Sequence, residues 1–251
     1  MKISYDLHIH SALSPCAEAD MTPGNIVGMA FIKGLDVIAI TDHQTCANLK
    51  SAFAAAERIR KEQGSAPVIL PGMEVECAEG FHMLAFFPTL SAAFAFEEYL
   101  HIFQPQIPNV PDIFGEQYLF DENDEISGTV KNLLSTASFQ NSIQLSDKIR
   151  RAGGCMIPAH VDRESYSILA SLGAIPEELP VRMVEISKNC QWKSFLKFHP
   201  NMSEYSHIRN SDAHRLADIS EPVETLEFPS ISEDDFDAEH IVQALREMSV
   251  K

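Results

Sequence analysis

Short apolar runs that end in histidines or carboxylates recur along most of this chain. A run of about four to six apolar residues is typical of a buried strand. One strand-like segment ends in His8 and His10, and another ends in Asp42 and His43. Side chains at the ends of neighbouring strands can converge, and convergent imidazoles and carboxylates bind metal ions. The pattern therefore predicts a sheet with a metal site at one edge.

The same pattern continues toward the C-terminus and predicts the fold class. Helix-like segments separate the strand-like ones, near residues 22–34, 53–64, 91–103, 141–152 and 232–248. Alternating strands and helices predict an α/β fold with a parallel sheet, and liganding residues after strand ends favour a barrel. We count about seven strand candidates. A length of 251 residues is normal for one such barrel, so we expect a single domain over residues 1–251.

Residues 104–139 interrupt this alternation. Prolines near the start of this segment prevent regular structure. The acidic stretch 121–125 stands between two apolar segments and predicts a hairpin turn. A calcium loop is the alternative, but Ile126 occupies the position that needs glycine. We expect an irregular insertion that caps the site rather than a second domain.

Charge and cysteine usage limit the partners and the compartment. The chain has 19 Lys and Arg against 36 Asp and Glu, a net charge of −17, and shows no cluster of basic residues. Binding to a phosphate backbone needs such a cluster, so long nucleic acid is not an expected partner. We see no membrane-spanning run and no leader, and the five cysteines are scattered. We therefore expect a cytoplasmic protein with reduced thiols and no membrane partner.

Three motifs together carry a resemblance to a known family. The segment 6–10, DLHIH, places both histidines on one face of a strand, because side chains alternate with period two. The motifs TDH at 41–43 and DAH at 212–214 follow along the chain. This set resembles the PHP family, the polymerase and histidinol phosphatase superfamily. The resemblance extends from Asp6 to His214.

The resemblance implies a distorted seven-stranded TIM-like barrel, up to three metal ions and hydrolysis of phosphoesters. Matching the family's motifs residue by residue marks the metal ligands as His8, His10, Glu18, His43, Glu74, His82, His160, Asp212 and His214. Asp42 is marked as an auxiliary ligand or as a support for the ligands. The family's Asp-Gly pair before a proline is absent here, where residues 18–23 read EADMTP, so Asp20 is the alternative to Glu18.

Positive side chains and one cysteine complete the candidate residues. Arg163 stands three residues after His160, an offset at which several small-molecule phosphatases of the family carry an arginine. A guanidinium can grip phosphate bidentately. Lys188 follows a later strand and offers a second positive charge, and Arg215 is a weaker candidate. Cys16 lies near the proposed site in the sequence, and we expect it to be a small buried thiol.

These residues predict a metal-dependent phosphoesterase, with Arg163, Asp42 and Lys188 supporting catalysis at two or three ions of Zn, Mn or Fe. The expected substrate is a small phosphomonoester, such as a nucleotide, a sugar phosphate or the end of a short oligonucleotide. A water activated by the metals would attack it. Two alternatives stay open, namely C–N bond hydrolysis of the amidohydrolase type and a non-catalytic binding module stabilised by metal. The oligomeric state is open as well.

Overall fold

Strands and helices alternate along the chain, as the apolar runs predict, and the fold is mixed α/β. The structure is a computed structural model that describes residues 1–229, 231–232 and 234–249. Over these residues the strands are β1 (Lys2–Ile9), β2 (Val37–Ile40), β3 (Val68–Ile69), β4 (Gly72–Glu76), β5 (His82–Phe86), β6 (Tyr118–Phe120), β7 (Ile126–Thr129), β8 (Cys155–Pro158), β9 (Met183–Ile186), β10 (Ser206–Arg209) and β11 (Thr225–Glu227). The α-helices are α1 (Pro23–Lys33), α2 (Leu49–Gln63), α3 (Leu90–Ile102), α4 (Pro111–Phe114), α5 (Ser142–Arg151), α6 (Ile168–Leu172), α7 (Trp192–Phe195) and α8 (Ala238–Ser249).

The strands form small sheets rather than one continuous ladder. β11, β1, β2 and β3 make one sheet in that order, in which β1 to β3 run parallel and β11 runs antiparallel to β1. β4, β5 and β8 make a second sheet, and β9 pairs with β10 in parallel. Within the described part of the chain these ladders do not close into a barrel. The seven-stranded barrel is therefore not confirmed by the strand pairing.

β5 runs antiparallel to both of its neighbours, β4 and β8, which corrects the expectation of a parallel sheet. Only residues 77–81 connect β4 to β5, and the Cys77 N–H donates to the Phe81 carbonyl at 3.1 Å. A parallel pair needs a crossover of about a dozen residues or more, whereas a tight hairpin suffices for an antiparallel pair. The short connection therefore decides the direction of β5.

Single backbone contacts join the small sheets near the candidate ligands. The end of β1 bridges to Ala213, in the segment after β10. His43, just after β2, bridges to Glu74 in β4. The Val161 N–H, just after β8, donates to the carbonyl of Glu185 in β9 at 2.9 Å. These contacts bring residues that are far apart in the chain to one edge of the strands.

Two buried clusters of apolar side chains pack against opposite faces of the strands. In β2, Ile38 and Ile40 join a cluster with α1, α2 and α3, whereas Val37 and Ala39 join a cluster with α8. Successive side chains of a strand point to opposite faces, so one strand contributes to both clusters. The α8 cluster also takes side chains from β1, β5, β8, β9 and β10.

Local capping sets the helix ends where the sequence predicts them. Thr22 Oγ1 accepts the Asn25 N–H at the start of α1, and Gly34 ends that helix with a left-handed φ of 77°. Asn141 and Gln144 form a reciprocal capping box at the start of α5. These predictions are confirmed because capping depends only on residues a few positions apart.

The last helix starts later than the sequence predicts. Ser232 and Asp235 do contact each other, at 2.6 Å, but they close a turn ahead of the helix. The residue that caps α8 is Asp237, whose Oδ1 accepts the backbone N–H of His240 at 3.0 Å. The helix therefore begins at Ala238, because the carboxylate nearest to its first free N–H groups is that of Asp237.

Residues 104–139 contain α4 and an antiparallel hairpin of β6 and β7. The turn of this hairpin is the acidic stretch 121–125, so the predicted hairpin is confirmed. The Tyr118 N–H donates to the Ala12 carbonyl at 2.9 Å, and Asp124 accepts the Gly24 N–H at 2.7 Å. The insertion therefore packs against the connection between β1 and α1. No helix within the described residues is long and apolar enough to cross a membrane.

Candidate metal centre

Glu74 lies at the middle of a cluster of histidines. Its neighbours in β4, Met73 and Val75, point into the core, so strand alternation turns Glu74 to the opposite face. Both of its carboxylate oxygens face imidazole nitrogens. Oε1 contacts His82 Nδ1 at 2.9 Å, His160 Nε2 at 3.2 Å and His8 Nε2 at 3.3 Å, and Oε2 contacts His43 Nδ1 at 2.9 Å and His10 Nε2 at 3.4 Å. A carboxylate in this position can be shared by two cations.

Asp212 approaches the same histidines from the segment after β10. Its Oδ1 lies 3.3 Å from His8 Nε2 and 3.2 Å from His10 Nε2. Its Oδ2 forms an ion pair with Arg163 Nη2, and these two atoms lie 2.5 Å apart. The ring of His214 stacks on that of His10, with centroids 4.5 Å apart, and its Nδ1 donates to the Asp212 carbonyl at 2.9 Å. The structure thus brings the DAH motif against the HxH motif.

Left-handed backbone conformations cluster around this site. The φ angle is 50° at Asp212, 28° at His160 and 59° at Gln44, which follows His43. Such conformations cost residues with a side chain about 1 kcal/mol or more each. They persist where surrounding contacts hold them, and here they lie beside or within the set of side chains that converge on Glu74.

Glu185 and Ser14 contact two of the histidines at Nδ1, the ring nitrogen that does not face Glu74. Glu185, buried in β9, accepts a hydrogen bond from His8 Nδ1 at 2.9 Å. Ser14 Oγ lies 2.9 Å from His10 Nδ1 and donates to Asp42 Oδ1 at 2.7 Å. Asp42 accordingly reaches His10 through Ser14, as expected for a support of the ligands. Partners of this kind orient a metal-binding imidazole and choose its tautomer.

The tautomers that these partners select fit a bound cation. A carboxylate can only accept, so Glu185 holds the proton of His8 on Nδ1 and leaves a lone pair on Nε2. Ser14 gives its hydroxyl hydrogen to Asp42, so His10 also donates from Nδ1. The two Nε2 lone pairs then face each other across 3.1 Å. Lone pairs at that distance repel unless they share a cation.

Glu74 provides a second test of the fit. Its buried Oε2 accepts no hydrogen bond from the described residues, and the 2.9 Å contact with His43 Nδ1 lies outside hydrogen-bond geometry. A buried carboxylate oxygen without a partner is unfavourable, whereas a cation satisfies it. The groups His8–His10–Glu74 and His43–Glu74–His82 each place their ligand atoms close enough to hold an ion. Imidazoles with carboxylates suit Zn, Mn or Fe.

The charges of the cluster interact strongly. Burial alone would lower the pKa of His10, but the nearby carboxylates of Asp212 and Glu74 outweigh it and raise the pKa to about 10. Burial would also lower the pKa of His82, but the Glu74 charge raises it to about 9. Burial alone would raise the pKa of Glu74, and the charge of His82, with those of the other histidines, holds it well below its usual range. Groups that bind protons so firmly also attract divalent cations, so the two compete.

A comparison with protein families agrees with this arrangement. The family model described as the PHP domain matches residues 6–171. The chain belongs to the PHP family. Asp212 and His214 lie beyond the matched residues, and the backbone bridge from the end of β1 to Ala213 brings them to the matched part.

Known proteins similar to this PHP chain are distant in sequence. The chain is 23% identical over 245 residues to YqxK, an uncharacterized protein of Bacillus subtilis strain 168. This alignment covers 87% of this chain and 56% of YqxK. The lesion-specific endonuclease PfuEndoQ from Pyrococcus furiosus aligns with a TM-score of 0.61 at 18% identity, over 98% of this chain and 56% of that chain. A candidate metal-dependent phosphoesterase of Bifidobacterium adolescentis aligns with a TM-score of 0.53 at 16% identity. This alignment covers 97% of this chain and 94% of that chain. The chain thus spans about half the length of YqxK and PfuEndoQ, and the structural likeness shows a shared fold.

Family membership and the side-chain cluster together support a metal-dependent hydrolase. Most of the PHP residues predicted as ligands converge in the structure. They are His8, His10, His43, Glu74, His82, His160, Asp212 and His214. Their roles as metal ligands stay a prediction.

The structure does not bring Glu18 or Asp20 to the cluster. The Glu18 N–H donates to the His214 carbonyl at 3.0 Å, which holds this backbone beside the site. Its side chain is half exposed and turns away to pair with Arg215 Nε at 2.9 Å. Asp20 is exposed. The hairpin-like turn after β1 presents Cys16 to the histidines instead, so neither carboxylate takes the position that the family pattern implies.

The predicted positive residues differ in where the structure places them. Arg163 lies at the rim of the cluster, with its side chain 44% exposed and Nη2 on Asp212. Lys188 Nζ donates to Asp218 Oδ1 at 2.8 Å, and Arg215 Nε pairs with Glu18 Oε1 at 2.9 Å. Arg163 is therefore the one of these three that contacts a side chain of the converging cluster.

Sequence reasoning missed two residues of this PHP site. The expectation that Cys16 is a small buried thiol is wrong, because the residue is exposed and its Sγ lies 3.1 Å from His214 Nε2. Burial alone would raise the pKa of the Cys16 thiol, but a hydrogen bond to His43 and nearby charges lower it. Glu185 was missed as well. Its signal was a lone carboxylate inside the apolar run 183–186.

Proposed function

We propose that this chain is a metal-dependent phosphoesterase that acts on a small phosphomonoester. The observation that carries the proposal is the convergence of histidines from several strands on Glu74 and Asp212, with the Arg163 guanidinium beside them. Imidazoles and carboxylates hold divalent ions, and a guanidinium recognises phosphate. The side chains that could hold divalent ions and the guanidinium that could bind phosphate therefore lie together.

The residues of the site divide the proposed reaction among them. When bound, divalent ions polarise a phosphoryl oxygen and activate a water as the nucleophile. Glu74 and Asp212 keep negative charge among the imidazoles, which retains cations in a buried position. Glu185 and Asp42 orient His8 and His10 through the contacts described above.

Arg163 is the side chain that we assign to the substrate. One of its nitrogens stays on Asp212, and the exposed part of its guanidinium has further N–H groups for an incoming phosphate. A planar guanidinium offers these donors in a fixed fork that matches two phosphate oxygens. Neutralising charge on those oxygens lowers the barrier to hydrolysis.

The distribution of charge supports a small substrate. The net charge is −17, and a long polyanion would be repelled by most of the surface. Lys188 pairs with Asp218, and Arg215 pairs with Glu18, so both of these cations are already matched by carboxylates. Positive charge at the site comes from Arg163 and the ions, which suits one terminal phosphate.

Structural neighbours favour two further candidates. PfuEndoQ is a lesion-specific endonuclease, and a related endonuclease Q structure holds a duplex with an abasic lesion at the active site. An amidohydrolase from Chromobacterium violaceum aligns over 90% of this chain with a TM-score of 0.52 and holds sulfate. DNA cleavage and C–N bond hydrolysis are therefore the activities to compare with phosphomonoester hydrolysis.

The test is a side-by-side measurement of kcat/KM on mononucleotides, sugar phosphates, a long duplex with an abasic lesion and N-acyl amides. We use about 0.15 M salt, where weak attraction to a phosphate backbone is largely screened. We expect phosphate release from small monoesters to dominate. The variant Glu74→Gln should abolish it, whereas Glu79→Gln, whose carboxylate binds Ser142 instead, should retain it.

Three outcomes would replace the proposal. Strand cleavage of the duplex with little activity on small phosphates would make the protein an endonuclease. Amide hydrolysis without phosphate release would make it an amidohydrolase. Metal-loaded protein that is inert on every substrate would support a binding module.

We also propose a distorted seven-stranded barrel that surrounds one interior. Its strands are β1, β2, β3 continued by β4, β5, β8, β9 and β10. The support is the apolar cluster that collects side chains from most of these strands and is completed by α8. The single backbone contacts between the small sheets lie where neighbouring strands of this ring would meet. An experimental structure in which α8 packs outside that ring would contradict this arrangement.

A further inference from the structure

Cys16 occupies a position between two imidazoles of the candidate metal centre. Its Sγ lies 3.1 Å from His214 Nε2 and 3.5 Å from His43 Nε2. The residue stands in the connection between β1 and α1, in contact with solvent. His10, Cys16 and His214 also form a group whose ligand atoms lie within 4.8 Å of one another. The thiol is therefore part of a cluster and not an isolated cysteine.

The sulfur faces a nitrogen of each imidazole. His214 Nδ1 donates to the Asp212 carbonyl, so its Nε2 carries a lone pair that points at Sγ. His43 Nε2 also contacts the sulfur, at 3.5 Å. A cation here would bind the sulfur and the His214 lone pair directly, and thiolate with imidazole is a donor set that suits zinc.

We propose that Cys16 is a thiolate ligand that, together with His214, holds one of the divalent ions of the site. The inference rests on the proposed function in so far as it assigns a ligand to an ion of that same centre. Tetrahedral zinc with one thiolate and imidazole ligands places sulfur and nitrogen about 3.5 Å apart. The observed separation of 3.1 Å between Cys16 Sγ and His214 Nε2 needs only a small adjustment.

The other atoms nearby are consistent with this assignment. His10 Nε2 faces His8 and Asp212, so it belongs with the ion between those residues. Glu18, the carboxylate implied by the family pattern, pairs with Arg215 and leaves this position to the sulfur. Binding of the ion releases the thiol proton to solvent, and no oxidation or reduction is involved.

A sulfur ligand has a consequence for the choice of metal. Thiolate and imidazole together favour zinc or cobalt, whereas carboxylate, carbonyl and water oxygens suit Mg and Mn. We therefore expect this ion to be zinc in preference to manganese. The variant Cys16→Asp, which restores an oxygen ligand, should shift the preference toward manganese.

The experiment compares Cys16→Ser and Cys16→Asp with the wild type and with Cys190→Ser. Cys190 is a buried cysteine that lies outside the groups of candidate ligands. Each protein is loaded with cobalt, and its metal content and near-ultraviolet absorption are measured. We expect a thiolate-to-cobalt charge-transfer band in the wild type and in Cys190→Ser. Both Cys16 variants should lose the band, and Cys16→Ser should lose about one ion per chain.

A charge-transfer band that persists in both Cys16 variants, or that is absent from the loaded wild type, would overturn the assignment. Circular dichroism on each variant separates loss of a ligand from loss of the fold, and Cys16→Asp keeps a ligand in place if the serine variant unfolds. A loaded wild type that shows the band but hydrolyses no phosphoester would uphold Cys16 and reject the proposed function. Phosphatase activity without the band would uphold the proposed function and reject Cys16 as a ligand.

Discussion

A buried carboxylate among several imidazoles is the main electrostatic feature at the scale of single residues. Glu74 is almost fully buried, and the histidines around it hold its pKa well below its usual range against the effect of burial. Buried charges are stable only when they are paired and hydrogen bonded. The surrounding contacts of Glu185, Ser14 and Asp42 therefore matter as much as the ligands, because they fix the direction of each ring.

Glu185→Gln should weaken metal binding by about 10- to 100-fold, because Glu185 positions a ligand rather than touching the ion. Its carboxylate accepts from His8 Nδ1 at 2.9 Å and from the His160 N–H at 2.8 Å. An amide group would place a donor against one of these donors. Metal affinity is measured by titration with zinc and a competing chelator. Glu79→Gln removes a comparable carboxylate that caps Ser142, and it should lower stability while leaving the affinity unchanged. Equal affinities in both variants would contradict the positioning role.

Arg163→Ala should lower kcat/KM on a small phosphomonoester by about 10- to 1000-fold, because one charge-stabilising donor to the phosphate is lost. Metal content should stay unchanged, because Asp212 keeps its contacts with His8 and His10. Arg150→Ala is the control, since Arg150 pairs with Asp147 on α5. If the Arg163→Ala variant has the same kcat/KM as the wild type, Arg163 does not act at the site.

At the scale of elements, the insertion holds the start of α1. Asp124, at the tip of the β6–β7 hairpin, accepts from Thr22 Oγ1 and from the Gly24 N–H. These are the free donors at the N-terminus of α1, where a negative charge is favourable. A side chain at position 24 would collide with this carboxylate, at 2.5 Å from a Cβ, so Gly24 permits the close approach. Local capping and the distant hairpin therefore act on the same helix end.

Asp124→Ala should lower the free energy of unfolding by about 1 kcal/mol, because α1 loses part of its cap. The change is measured by urea denaturation. Glu116→Ala, at an exposed carboxylate of the same insertion, is the control and should change stability little. An unchanged stability in Asp124→Ala would show that the hairpin does not hold the helix.

At the scale of the whole molecule, the site is a product of the complete fold. The candidate ligands run from His8 to His214, and they meet only where β1, β2, β4, β5, β8 and β10 come together. The unfolded chain cannot present them in this geometry. Ions that bind the native site therefore stabilise the folded state.

Removal of metal by a chelator should lower the melting temperature of the loaded protein by about 5 °C or more. Added zinc should restore it. The variant Glu74→Gln should show little response to either treatment, because the carboxylate shared by the histidines is gone. Loaded wild type whose melting temperature does not change on chelation would contradict a metal centre that depends on the fold.

Features that depend on near neighbours could be predicted from the sequence. The ends of α1 and the start of α5 are confirmed because each rests on residues a few positions apart. The hairpin at 121–125 is confirmed for the same reason. The histidines of DLHIH share a face because side chains alternate along β1. PHP membership is confirmed, although the matched residues stop at 171, well before the DAH motif.

The sequence by itself determined which chemical groups the site contains and how they are spaced along each strand. Only the tertiary structure decided that Cys16 rather than Glu18 faces the histidines, and that Glu185 supports His8. It also decided that Lys188 pairs with Asp218 and that β5 runs antiparallel. The physical reason is that a loop can turn any of its side chains inward. Which one turns depends on contacts between residues far apart in the chain, and periodicity does not record them.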